Sequence, residues 1–443
     1  MFKACIGGTV NLAVGEPRNK RYLSQNKSNK TAFEITYNGK IDTSVILKKK
    51  CETTFTTLAT TKHPSQNQLF FGDNMDVLRW LIQNQGMKGK IDLIYIDPPF
   101  AKGAHFSSRN QELAYTDVLE GAEFIEFLRS RLILMKELLS EQGSIYVHLD
   151  ESMAFEIKLI MDEIFGKKNF KNWIVRKKSN PKNSVSKKYG NIADYILFYT
   201  KTKKYIFNQP YEKWDDKDLL KEYSYVEEKT GRRYKKVPIH APGIRNGETG
   251  KEWRGKLPPV GKHWQYTPQK LDELDKNGEI FWSSTGNPRR KIYLDENKGK
   301  KIQDIWLNFK DAHNQNIKIT GYPTEKNTEL LERIISVSSN ENSIVLDAFN
   351  GSGTTLSVAN TMKRNWIAID NSKISIDTTL NRIFCGVKPM GDFVKKKSSK
   401  RQLELFNTSL VEKTNFTLLV DDNKLEDDIK EKWDSYFNQS NPS

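Results

Sequence analysis

Two blocks of alternating apolar strands and amphipathic helices, separated by a long stretch without that rhythm, dominate the hydropathy pattern of the chain. The first block opens at "NQLFFGD", where a short apolar run meets Gly72 and Asp73. In "NMDVLRWLIQ" after it, Val77, Leu78, Leu81 and Ile82 share one helical face, and Asp73 or Asn74 can cap the helix. "IDLIYI" is a buried strand that stops abruptly at "DPPF". In "AEFIEFLRSRLILMKELLSEQG", Phe124, Ile125, Leu128, Leu132, Met135 and Leu139 recur by threes and fours, which predicts an amphipathic helix stopped at Gly143. "SIYVHL" reads as a strand, "ESMAFEIKLIMDEIFG" as a helix and "DYILFYT" as a strand. The second block repeats the alternation with "TELLERIISVSS" (helix), "SIVLDAF" (strand), "GSGTTLSVANTM" (turn into helix) and "NWIAID" (strand). This order predicts an α/β fold, a parallel sheet with helices on both faces.

The flanks and the middle differ. Residues 1–66 read as an accessory segment, since "TTFTTLATTKHPSQNQ" has no helical period and suggests strand fragments or linker. Residues 67–171 carry the first block and 321–390 the second. Between them, 172–320 are rich in Lys, Arg, Trp, Tyr, Pro and Gly, with a sheet strand still expected up to about residue 200. Residues 391–443 form a tail that begins with "KKKSSKRQ" and ends in a charged, weakly helical stretch.

Composition adds a polyanionic partner to the picture. The 443 residues carry a net charge of +16, which favours nucleic acid. A hydrophobic fraction of 37% and a mean hydropathy of −0.67 imply a wide polar surface. The three cysteines, Cys5, Cys51 and Cys385, lie far apart and form no CxxC pair, so neither a zinc site nor a disulfide framework is expected and a reducing cytoplasm fits. No apolar run is long enough to span a bilayer, and the first residues do not read as a signal peptide.

The chemistry concentrates at two strand ends. In "VLDAFNGSGTT" an apolar strand runs into Asp347, then Phe349, Gly351 and Gly353, then a helix. Glycines there allow a tight turn and close approach of a ligand to the backbone. The next strand ends at Asp370, at the spacing of a carboxylate that binds ribose hydroxyls. No Gly-Lys-Ser/Thr follows, so this is not a Walker phosphate loop. Taken singly, each feature has a plain structural reading: Asp97 as a turn former before proline, the glycines as an ordinary connection, Asp370 as a helix cap.

Their conjunction resembles the amino-methylating DNA methyltransferases, which act on adenine N6 or cytosine N4. "DPPF" (Asp97, Pro98, Pro99, Phe100) precedes "FNGSG" in the chain, the circularly permuted order of the beta class, which includes type III and many type II modification enzymes. "AYTD", "GSIYVHLD", "GNIADYILFYTK" and "GYPTEKNTELLERII" also resemble this family's connecting segments, so the likeness covers about residues 67–385. It implies a doubly wound, mostly parallel, seven-stranded Rossmann-like sheet, with the basic region inserted as the target-recognition part. It implies S-adenosylmethionine as cofactor and double-stranded DNA as substrate, in a bacterial or phage-encoded cytoplasmic enzyme. A homodimer and a restriction subunit stay open as partners, and no metal or membrane is required.

By the same resemblance Phe349, Gly351, Gly353 and Thr354 line the methionine and sulfonium end of the cofactor. Asp347 faces its amino group, Asp370 its ribose and Asp73 its adenine. "YPTEKN" stands where the family usually has His-Pro-Thr-Gln-Lys-Pro. Thr324 and Lys326 are then the carboxylate contacts, and Glu325 places an opposing negative charge beside them. Phe100 stacks on a flipped base, and Asp97 and the Pro98 carbonyl accept the two amine hydrogens. Asp in the first position of that motif favours adenine; Phe in the fourth, where Tyr is commoner, leaves cytosine N4 as the alternative. A DNA-binding specificity subunit without turnover is the non-enzymatic alternative, and RNA methylation a weaker one. Arg176, Lys177, Lys178, Arg232, Arg233, Arg254, Arg289 and Arg290, interleaved with aromatics, are the expected DNA contacts. His148 is read as structural, and Tyr115 and Asp117 as lid or plain loop with equal weight.

Overall fold

The computed structural model describes residues 34–62, 65–99, 121–181, 187–311, 325–386 and 414–439, with the backbone alone for the short strands His105–Ser107 and Leu113–Thr116. Two compact units divide the chain, one of residues 1–207 with 304–443 and one of Asn208–Gln303.

A ten-stranded sheet forms the first unit. In chain order its strands are β1 (Phe55–Thr60), β2 (Gln68–Phe71), β3 (Ile91–Ile96), β4 (Leu139–Leu149), β5 (Phe170–Lys177), β6 (Ala193–Thr200), β7 (Ile305–Trp306), β8 (Ile344–Asp347), β9 (Asn365–Asp370) and β10 (Thr417–Asp421). Their order across the sheet is β1-β10-β2-β9-β8-β3-β4-β6-β5-β7. From β10 to β4 every neighbour is parallel. β6 runs antiparallel to both β4 and β5, and β1 antiparallel to β10. The helices are α1 (Thr43–Lys48), α2 (Asn74–Gln83), α3 (Gly121–Leu138), α4 (Ala154–Phe165), α5 (Asp216–Glu222), α6 (Pro268–Lys276), α7 (Thr328–Ser338), α8 (Thr354–Thr361), α9 (Lys373–Cys385) and α10 (Asp427–Gln439).

The central strands are apolar without alternation because both their faces are covered. Ile91, Leu93, Ile94 and Ile96 of β3 are fully buried, each burial contributing roughly 1.5–3 kcal/mol. The connection β8–α8–β9 runs one way along the sheet and β3–α3–β4 the other. Right-handed crossovers therefore put α3 and α8 on opposite faces. They leave a crevice at the carboxyl ends of β3 and β8, where doubly wound sheets hold ligands.

Three strands exceed the seven expected. β7 is a two-residue edge strand on β5. β1 and β10 come from the stretches assigned to the accessory segment and the tail. β10 lies between β1 and β2, so that part of the tail is sheet interior. α10 covers it: Trp433 is buried, packs edge-on against Phe71 at 5.2 Å between centroids and donates its indole N–H to Asp377 Oδ1 at 2.8 Å. The helix expected to run to Gly143 ends at Leu138, and β4 begins there. A Cβ at Gly143 would stand 2.9 Å from the Ile91 carbonyl, so glycine is what lets β4 pass close to β3.

The Asn208–Gln303 unit lies within the 172–320 stretch. It holds a four-stranded antiparallel sheet of Tyr225–Val226, Arg233–Pro238, Pro288–Tyr293 and Ile280–Trp282. Its own small core gathers Ile239, Trp253, Trp264, Leu271, Leu274 and Ile280.

Trp433→Ala is expected to cost about 3–5 kcal/mol, the usual penalty for emptying a large buried aromatic site, measured by urea unfolding. A loss below about 1 kcal/mol would show that α10 is peripheral to the sheet.

Candidate active site

Four neighbouring parallel strands each deliver an aspartate at the same end of the sheet. Asp73 follows β2, Asp370 ends β9, Asp347 ends β8 and Asp97 follows β3. All four line one cavity of about 400 Å³, together with Pro98, Pro99, Phe349, Gly351, Thr354 and Lys326. That volume lies within the range of small-molecule sites.

The glycine turn is shaped by backbone need. Gly351 and Gly353 have φ of 54° and 72°, where side chains are strained. A Cβ on Gly353 would also meet Thr379 Oγ1 at 2.8 Å, and that oxygen is already held by Asn350 Nδ2 at 2.8 Å. Asp370 accepts from Gly351 N at 2.8 Å through Oδ2 and from Ser372 N at 2.9 Å through Oδ1. Burial pushes its carboxyl up, against these hydrogen bonds. Asp347 accepts from Phe349 N and Thr355 Oγ1. Burial nevertheless raises its pKa to about 7, and the neighbouring Asp97 and Asp370 add to the rise.

Asp73 caps α2 by accepting from Met75 N at 2.7 Å, and Arg131 Nη2 reaches it at 3.1 Å. The Arg131 guanidinium lies 3.6 Å above the Phe127 ring, which in turn packs against Phe349. Thr354 is buried, its hydroxyl 2.9 Å from Ser352 Oγ and 3.3 Å from Arg382 Nη2. The charge of Glu325 is not left to oppose an incoming carboxylate. It is paired with buried Arg382, whose Nε also holds the Ser352 carbonyl at 2.8 Å. The pair braces the glycine turn. Asn327, in the place of the family's proline, caps α7 by accepting from Glu329 N.

Asp97 has two unlike oxygens. Oδ2 accepts from Lys326 Nζ at 2.8 Å. Oδ1 is buried and has no hydrogen-bond partner among the described residues. Leaving such an acceptor bare costs about 1–3 kcal/mol. Phe100, Thr324, Asp117 and the side chain of Tyr115 lie outside the described residues.

The expected DNA contacts separate into two groups. Arg176 must be corrected: it is fully buried, with Nη1 on Asp194 at 3.2 Å, Nη2 on Asp311 at 2.7 Å and Nε on the Phe309 carbonyl. A guanidinium so consumed cannot meet a phosphate. Lys178 is 2.8 Å from Asp194, Arg232 pairs with Asp295 and Glu296, Arg254 with Asp272 and Asp275, and Arg290 with Glu279. Lys177 is half-buried, while Arg233 and Arg289 are exposed. Tyr95, Asn74, Phe127 and Arg131 also belong to the site or its wall and were not anticipated. For Tyr95 the signal was its place two residues before Asp97, hence on the same face of the strand.

The sequence profile of a DNA methylase family, N6_N4_Mtase, matches residues 91–381. The chain belongs to this family. It is 48% identical over 376 residues to the type II methyltransferase M.EcaI of Enterobacter cloacae, covering 84% of this chain and 82% of that one. It is 29% identical to the Mod subunit of the type III restriction-modification enzyme StyLTI of Salmonella typhimurium, over 68% of this methylase but 50% of that subunit. The methylase also aligns with the crystal structure of the M1.HpyAVI–SAM complex at 19% identity, over 71% of this chain and 98% of that one, with a TM-score of 0.40. The family resemblance carried by "DPPF" and "FNGSG" is thereby met.

S-adenosylmethionine is the cofactor of these methylases, and the residues present suit it. Glycines open the backbone at one end of the cavity, and carboxylates suited to a cationic amine and to hydroxyls stand along it. Among the described residues no cluster could hold a metal ion, and no helix is long and apolar enough to cross a membrane.

Arg176→Ala is expected to destabilise the methylase by about 3–5 kcal/mol, because it breaks a buried ion pair with Asp194, unpairs Asp311 and leaves the Phe309 carbonyl without its donor. Arg233→Ala should change stability by less than about 0.5 kcal/mol. Chemical unfolding of both variants checks the contrast.

Proposed function

We propose that the chain is a sequence-specific DNA adenine-N6 methyltransferase of a restriction-modification system, acting on an adenine turned out of double-stranded DNA. The observation that carries this reading is the buried Oδ1 of Asp97, without a hydrogen-bond partner among the described residues, in the wall of the cavity shared with the glycine turn. It is an acceptor in want of an N–H donor, and an exocyclic amine is such a donor.

Bound S-adenosylmethionine supplies an activated methyl group. Asp347 takes the cofactor's amino group, Asp370 its ribose and Asp73 its adenine, with Phe349, Gly351, Gly353 and Thr354 around the methionine end. Thr324 and Lys326 take its carboxylate. Lys326 also fixes Asp97 Oδ2, which leaves Oδ1 for the amine. The Pro98 carbonyl accepts the second amine hydrogen, held in place by two prolines whose φ is locked. Two acceptors on its hydrogens draw the nitrogen toward a pyramidal shape and free its lone pair for the methyl carbon. Phe100 stacks on the extruded base, offsetting the few kcal/mol that unstacking costs. Alignment of the two reactants is worth ~7 kcal/mol or more.

The order of the catalytic strand before the cofactor strand, with the Asn208–Gln303 unit between them, fits the circularly permuted arrangement. That unit is the proposed reader of DNA sequence, with Arg233 and Arg289 as its first candidates because they are exposed. A restriction subunit is the proposed partner, by likeness to the Mod subunits.

Asp97→Ala is expected to lower methyl transfer at least ~1000-fold, a larger loss than one oxyanion-type donor usually carries, with cofactor affinity within a few-fold of wild type. Radiolabel transfer and calorimetry measure the two, and nucleoside mass spectrometry reads the product. N4-methylcytosine as sole product would replace adenine by cytosine, and DNA binding without transfer would leave a specificity subunit.

Cofactor affinity should also depend on pH. Asp347 carries a proton below about pH 7, where it cannot pair with an ammonium group. Affinity is expected to rise about tenfold from pH 6 to pH 8 as it ionises, and to lose that rise in Asp347→Asn. The same raised pKa makes ionising Asp347 destabilise the folded protein as pH climbs toward 7.

A further inference from the structure

His148 has no part in the chemistry above, yet it is fully buried and its ring joins the catalytic pocket to a row of charges. The row runs strand by strand across the sheet: Tyr95 and Asp97 at β3, His148 on β4, Asp194 on β6 and Arg176 on β5. His148 Nδ1 is 2.8 Å from the Tyr95 hydroxyl and 4.0 Å from Asp97 Oδ1, the oxygen without a hydrogen-bond partner among the described residues. His148 Nε2 is 3.2 Å from Asp194 Oδ2. Asp194 is held in turn by Lys178 at 2.8 Å and Arg176 at 3.2 Å, and Arg176 reaches half-exposed Asp311.

These partners fix the tautomer. Burial alone would raise the Asp194 carboxyl, but the His148 hydrogen bond and the cations Lys326 and Lys178 hold it well below the usual carboxylate range. It is ionised and can only accept, so Nε2 carries the imidazole hydrogen. Burial pushes the His148 pKa below its ordinary value, against the pull of Asp194 and Asp97. Burial also keeps the Tyr95 phenol protonated. In the neutral ring Nδ1 is therefore a lone pair that accepts from Tyr95 and lies beside Asp97. An aspartate that orients a histidine so that its basic nitrogen faces the reaction is the arrangement of a general base.

We propose that His148 is the second acceptor of the proton that methylation releases, acting behind Asp97. The inference rests on the methyltransferase reading. The amine lone pair forms the bond to the methyl carbon, and the carbon–sulfur pair returns to sulfur. The nitrogen, now positive, gives one of its hydrogens to Asp97 Oδ1. That proton passes to His148 Nδ1 as Tyr95 turns its O–H aside and the 4.0 Å gap closes. The imidazolium stands between Asp97 and Asp194, and Asp97 is again ionised for the next amine. His148 is thus a positioning and relay residue; Asp97 is the group that touches the substrate. Among the described residues the charged groups that face the ring are Asp97 and Asp194, with Lys326 beyond Asp97 and Lys178 and Arg176 beyond Asp194.

The test is the pH profile of single-turnover methyl transfer to DNA at saturating S-adenosylmethionine. The wild-type rate should fall about tenfold per unit on an acid limb that lies below the ordinary imidazole range, where His148 becomes protonated. His148→Gln should be roughly 10–100-fold slower and lack that limb. Tyr95→Phe removes a hydrogen bond to the neutral ring, raises the His148 pKa and should move the limb to higher pH. A His148→Gln enzyme with the wild-type rate and limb overturns the inference. So does a limb unmoved in Tyr95→Phe, which serves equally if His148→Gln fails to fold. A wild-type protein that methylates no DNA at any pH overturns instead the function proposed above.

Discussion

The parallel pairing of β3 with β8 is the constraint on which the site depends. Leu93 lies against Val345 and Ile94 against Leu346. This register sets Asp97 and Asp347, far apart in the chain, at the ends of adjacent strands. Strands of a sheet are about 4.8 Å apart, so whatever one carboxylate holds is in reach of what the other holds. A slip of one residue would turn Tyr95 and Asp97 to the opposite face. Four fully buried side chains of β3 oppose that slip.

The second requirement is charge. Four aspartates at one sheet end, two of them pushed up by burial, would repel one another without compensation. Arg131 answers Asp73 and Lys326 answers Asp97. Backbone N–H groups of the glycine turn answer Asp347 and Asp370. The resting site is thus poorer in positive charge than in negative, which suits a cofactor that is a sulfonium cation. Glu325 and Arg382 form a neutral pair under the turn and leave this balance untouched.

Much of this was legible in the chain. The central strands are continuous apolar runs, the helices carry clear faces, and the two strand-end motifs lie at known spacings. What stayed hidden was of two kinds. β1 has one buried residue, Phe55, with exposed or half-exposed residues after it, so its pattern is weak. β10 is apolar but lies between charged segments, and only its pairing partners show that it is internal. The other kind is electrostatic. Nothing local distinguishes buried Arg176 from exposed Arg233, since both stand in basic, aromatic stretches. The difference comes from Asp194 and Asp311, which only the fold brings to Arg176. His148 could be read as structural from its strand, but its place between Asp97 and Asp194 needs three strands in register.

The place of β10 between β1 and β2 bears on biosynthesis. Asn67 donates to the Asn415 carbonyl, a contact between residues 348 apart in the chain. At ~5–20 residues per second, β2 waits roughly 20–70 s after leaving the ribosome for its neighbour to emerge. Through most of that interval both sides of β2 are open edges, since its other neighbour β9 is also made late; the strand carries apolar Leu69, Phe70 and Phe71, and open edges recruit other strands. The nascent chain therefore has a window in which chaperones, or a second ribosome on the same message, decide its yield.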